Sequence, residues 1–137
     1  MGFGARTVVV PARRRAAVLM ARRETGFPPD VKTIITERAN GMCEIMRPGC
    51  TGRGTEHHHR MTRGMGSAKV VGVNAAANGL LACSACHKHI TEHPADAYEK
   101  GWAVRRNSIV TPAESRVWWR SSRWLYLDDF GGMRWAA

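Results

Sequence analysis

The chain has 137 residues, and its 21 Lys plus Arg against 11 Asp plus Glu give a formal charge of +10. That length suits one domain with a short arm, and the charge favours a polyanion, either nucleic acid or an anionic membrane. The membrane falls away because no apolar run approaches ~18 residues. Val8 to Val10 and Ala16 to Ala21 are too short to serve as a signal-peptide core, so a cytoplasmic protein with reduced cysteines and no small-molecule substrate is expected.

Residues 1–27 read as a loosely held basic arm, with Arg6, Arg13, Arg14, Arg15, Arg22 and Arg23 against the single acid Glu24. The main domain is expected over 28–105. Pro28-Pro29-Asp30 opens a helix, since proline is tolerated in a first turn and an acid favours that end. Val31, Ile34, Ile35 and Ala39 make one apolar face at helical spacing, and Asn40-Gly41 stops the helix. Thr55 to Met61 reads as extended, and 62–77, with Gly64, Gly66 and Gly72, as a long loop. Leu80-Leu81-Ala82 is a short strand, and a helix starts near Ser84 and ends before Pro94. Pro94 to Lys100 is a second short helix closed by Gly101. Residues 106–137 form a β extension: Val117-Trp118-Trp119, then Arg123 to Leu127, a turn over Asp128 to Gly132, and Met133 to Trp135 returning. The fold class is therefore α+β, with an N-terminal helix and a C-terminal β-hairpin.

Cys43, Cys50, Cys83 and Cys86 are two pairs separated by about 40 residues, a spacing that suits one tetrahedral zinc ion. Cys83-x2-Cys86 lets two sulfurs face one ion across a tight turn. Cys43-x6-Cys50 is looser, and Pro48-Gly49 folds it back. In a small core, such a four-cysteine zinc site is a structural device. Between the pairs lie His57-His58-His59 and Asn78, and His87 follows Cys86 directly. A structural metal would thus clamp the ends of a loop that carries a second, reactive site.

Glu56-His57-His58-His59-Arg60, followed by Asn78-Gly79-Leu80-Leu81-Ala82-Cys83-Ser84-Ala85-Cys86-His87, resembles an HNH endonuclease, in the zinc-containing branch common in phages of actinobacteria. The resemblance covers about residues 30–105. It implies a ββα-metal (His-Me finger) core, a catalytic divalent cation (Mg²⁺, Mn²⁺, Ni²⁺ or Zn²⁺), hydrolysis of DNA phosphodiesters, and a place beside phage terminase subunits. It assigns His59 as the general base, His58 and His87 as metal ligands, and Asn78 as the residue that pins the loop. Three histidines allow 57/58 or 58/59 as the working pair, and Arg60 after the base favours 58/59. The pattern departs at Thr91, where relatives often carry a second helix histidine. That leaves water, Asn78 or a shifted His93 to complete the metal shell.

A neutral imidazole can take a proton from water at physiological pH, and adjacent strand residues point to opposite faces. One histidine of the pair can therefore face the metal while its neighbour faces substrate. Arg53, Arg60, Arg63, Lys69 and Lys88 flank this site and are expected to hold DNA phosphates. The tryptophans of the tail are expected mainly to pack the β extension on the core. Two rival readings keep the zinc scaffold: a catalytically weak or inactive DNA-binding module, and a homing or restriction-type nuclease with sequence specificity.

Overall fold

The helix opened by Pro28-Pro29 is α1, Pro29–Ala39, in a computed structural model that describes residues 26–62 and 72–136. The basic arm to residue 25, and Arg63, Lys69, Gly64 and Gly66 of the long loop, lie outside the described residues. Asp30 sits in the first turn of α1, and Asn40 closes it in the left-handed conformation (φ 53°). Its Ile35 and Ala39 are buried against Phe27, Ala76 and Leu81, the face that the helical spacing marked.

Strand β1, Glu56–His59, pairs antiparallel with β2, Gly79–Ala82, in the register Glu56↔Ala82 to His59↔Gly79. β2 is buried along its whole length. Gly79 is required there, because a Cβ would lie 2.3 Å from Ile35 Cδ1. Helix α2, Ser84–Glu92, follows at once, and α3, Pro94–Glu99, follows that. The chain thus runs strand, strand, helix through the segment that holds the candidate histidines, Asn78, Cys83 and Cys86.

The tail is a three-stranded antiparallel meander of β3 (Val117–Trp119), β4 (Arg123–Leu127) and β5 (Met133–Trp135). Its inner-face Val117, Leu125 and Leu127 share one apolar cluster with Leu80, Cys83, Cys86, Ile90 and Trp102. The extension therefore completes the core of the main domain. The β3–β4 turn uses Arg120 and Ser121 at φ 51° and 50°, positions that usually go to Asn or Gly. Contacts with the first cysteine loop hold it. The Arg120 N–H donates to Glu44 O at 2.8 Å, and the Ser121 hydroxyl donates to Met46 O at 2.9 Å.

Two arginines lie inside. Arg38 donates to both carboxylate oxygens of the fully buried Glu44, which also accepts from Leu81 N and Trp119 Nε1. Arg60 is 1% exposed, and no carboxylate pairs with it among the described residues. Its guanidinium donates to the carbonyls of Gly101, Ala77, Pro112, Ser115 and Arg116. Burial, with the Arg38 charge second, lowers its pKa to about 9, so it stays cationic at neutral pH. The expectation that Arg60 holds a DNA phosphate is corrected here: its N–H edges are spent on backbone oxygens inside the core.

Candidate functional site

The four cysteines converge. Cys43 and Cys50 flank a loop turned by Gly49 (φ 90°), Cys83 caps α2, and Cys86 lies in its first turn. Their sulfurs all lie within 4.8 Å of one another, and no disulfide links them. Cys50 Sγ and Cys83 Sγ are 3.7 Å apart. Four sulfurs held about 2.3 Å from a central ion stand about 3.8 Å from each other, so the cluster has the size of a structural metal cage. Backbone N–H groups already point at sulfur: Gly52 N at Cys50 and Cys86 N at Cys83, each at 3.3 Å. Burial pushes the Cys50 thiol up. At Cys83 burial also raises the pKa, but the Thr51 and Cys86 N–H contacts outweigh it and bring the thiol down to about 6. A thiolate at a helix N-cap is ready to ligate.

The histidines divide by strand face. Glu56 and His58, two apart on β1, both meet His87 of α2, while His57 bonds Thr36 of α1 and His59 stacks on Phe27. The His58 and His87 rings meet edge to face, with centroids 5.0 Å apart. His58 is 8% exposed, and its Nε2 lies 2.7 Å from Trp102 O. A carbonyl only accepts, so Nε2 carries the proton and Nδ1 keeps its lone pair. Burial lowers His58 to about 4, which leaves the ring neutral at physiological pH. His87 Nδ1 lies 3.0 Å from the Glu56 carboxylate, which leaves its Nε2 as the ligating nitrogen. Each ring therefore has one nitrogen anchored and the other available, the arrangement usual for metal-bound histidine.

His59 stacks flat on Phe27 (centroids 3.8 Å, 7° between planes), and its Nε2 lies 3.0 Å from Asn74 Oδ1. The amide oxygen accepts, so Nε2 donates and the ring's lone pair sits on Nδ1. His57 is held by Thr36 Oγ1 at 2.9 Å, and burial lowers its pKa. His58, His59 and His87 all line one groove of about 450 Å³, walled also by Thr91, Pro94 and Tyr98.

Asn78 is fully buried and acts as a clasp. Its Oδ1 accepts from Met61 N, and its Nδ2 donates to Met61 O and Val73 O. Those bonds tie the two ends of the loop between β1 and β2, and the side chain does not line the groove. His93 stacks on His89 with centroids 4.3 Å apart, away from His58 and His87, so it does not complete their shell. Thr91 Oγ1 bonds back to His87 O. Arg53 is exposed in the cysteine loop, bridged to Met42, and Lys88 is exposed beside Glu92, 3.9 Å away. Neither lines the groove.

Three contacts that orient these rings escaped the sequence reading. Glu56 was legible in principle, since alternation places it on the face of His58. Asn74 and the Trp102 carbonyl had no local signal. Compared with family models, with curated proteins and with solved structures, the chain matches none.

Proposed function

We propose that this chain is a zinc-stabilised, metal-dependent DNA endonuclease of the HNH kind. One observation carries the reading: two imidazoles with anchored outer nitrogens meet at 5.0 Å in a groove that a third, oriented imidazole also lines. The donor set fits a divalent ion, because two imidazole nitrogens beside a carboxylate suit Mg²⁺-, Mn²⁺-, Ni²⁺- or Zn²⁺-type chemistry. His58 Nδ1 and His87 Nε2 would hold it. Bound there, the cation would supply charge to a nonbridging phosphate oxygen and to the leaving 3′ oxygen. The four-sulfur cage would hold zinc and no substrate.

The remaining work belongs to the chain. Asn74 and Phe27 fix the His59 ring. His59 Nδ1 takes a proton from a water molecule, whose oxygen bonds to phosphorus as the P–O3′ bond breaks. The 3′ oxygen takes up a proton, leaving a 5′ phosphate and a 3′ hydroxyl. Asn78 holds the loop that carries Asn74, so the base keeps its aim. The basic balance of the chain draws in the polyanion.

A supercoiled-plasmid assay with Mg²⁺, Mn²⁺ or Ni²⁺ tests the reading, together with metal analysis of the purified protein. Nicked or linear plasmid from the native chain, and none from His59→Ala, is the expected result. Equal cleavage by both would overturn it. Thr91 favours a second reading, a zinc-held DNA-binding module with a weak or dead site, because it removes the third nitrogen ligand. Metal-independent binding with no cleavage would select that reading.

A further inference from the structure

The histidine groove does not end at Tyr98. A second groove of about 520 Å³ shares Tyr98 and Ala103 with it and continues to Arg105, Arg116 and Trp124. Along this path the guanidiniums lie flat on rings: Arg105 over Tyr98 at 4.2 Å, and Arg116 over Trp124 at 4.1 Å. Two residues further along the same face of β4, Arg134 lies over Tyr126 at 4.3 Å, its cross-strand partner. All three arginines are exposed, and none forms an ion pair with a carboxylate among the described residues. A guanidinium braced on a ring loses little further freedom when its N–H edge takes a phosphate. The second groove also holds exposed apolar side chains, with Tyr98 38% and Ile109 fully accessible, and one acid, Glu99.

A duplex would offer this surface phosphates alone, whereas an unpaired strand offers phosphates and base faces together. The geometry points to a track for single-stranded DNA that leads away from the histidine groove over Arg105, Arg116 and Arg134. This deepens the nuclease reading and rests on it: the substrate class is DNA with an unpaired stretch next to the cut. Charge complementarity and the aromatic lining choose the occupant.

The test uses the full chain as His59→Ala, which keeps the DNA intact, with and without Arg105→Gln, Arg116→Gln and Arg134→Gln together. Anisotropy with a labelled single-stranded oligonucleotide and its duplex is read across a salt series. The arginine variant should lose at least tenfold in affinity for the strand, and clearly less for the duplex. Its log-log salt slope on the strand should fall by about 2, as three lost phosphate contacts require. Quenching of tryptophan fluorescence by the strand should shrink in Trp124→Phe. Unchanged strand affinity and slope in a variant with native melting would overturn the track, as would equal loss on the duplex. Plasmid cleavage by the native chain, scored separately, keeps the two readings apart. Cutting without strand loss sinks the track alone, and strand loss without cutting sinks the nuclease alone.

Discussion

The two candidate metal centres share the β2–α2 junction and are built on opposite plans. In the cysteine cage four donors of one kind converge within 4.8 Å, and three of them are buried in the main core. In the histidine groove two donors meet, each anchored by an outer hydrogen bond, and the rest of the space is open. A closed shell has no place for substrate, while an open one has. The difference teaches that the cage suits the fold and the groove suits a reaction. A single tight turn, Cys83 to His87, hands one ligand pair to the first and one ligand to the second.

The largest expected effect breaks the cage. Cys83→Ser, or a strong chelator, should unfold the domain, since thiolate–zinc bonds couple to folding on the order of 10 kcal/mol. Circular dichroism with metal analysis checks it, and a fully folded metal-free protein would contradict it. Next comes the buried arginine that follows β1. Arg60→Ala strands five carbonyls and should cost roughly 3–5 kcal/mol in urea unfolding. If Arg60 touched DNA instead, the salt slope of binding would drop by about 1, and no such drop is expected.

The groove should show the reverse pattern. His59→Ala should lower plasmid cleavage by about 10²- to 10⁴-fold while shifting the melting temperature by no more than a few degrees. Asn74→Ala should cost roughly tenfold in rate, near 1.4 kcal/mol, because the base is still present but its tautomer is no longer set. A stability loss larger than the rate loss in either variant would mean that the groove, like the cage, is structural.

The smallest effect is one of pH. The hydrogen bond from His89 holds the Asp96 carboxyl below its ordinary 3.8. Its contribution is therefore complete above that value and fades as pH falls through the lower folded value. The carboxylate is over a third exposed, so solvent screening limits it to a few tenths of a kcal/mol. Asp96→Asn should flatten the acid limb of stability by about that amount in melts from roughly pH 2 to 5.

What could be read from residues alone divides along similar lines. Helix α1, both strands of the first hairpin, the Cys83-x2-Cys86 turn and the tail strands all announce themselves locally, through periodicity, caps and spacing. The convergence of the four sulfurs followed from that spacing too. The burial of Arg60 did not, because in a chain of charge +10 an arginine beside a candidate site reads as a phosphate contact. Its burial depends on carbonyls from residues 77 to 116, which only the tertiary fold assembles. The same holds for the Arg120-Ser121 turn, whose left-handed backbone is tolerated through contacts with Glu44 and Met46, far earlier in the chain. Asn74 is a third case. It carries no local signal, and its place is set by a loop end that Asn78 holds through Val73 O.

The acceptors of Arg60 have a bearing on how the protein matures. A nascent fragment stopping at residue 105 would contain every cysteine and histidine of both centres. It would still lack the oxygens of Pro112, Ser115 and Arg116, three of the five that satisfy the guanidinium next to the proposed base. On the nuclease reading, the proposed base is thus buttressed only once the chain has been made past Arg116, so the groove and the C-terminal strands mature together.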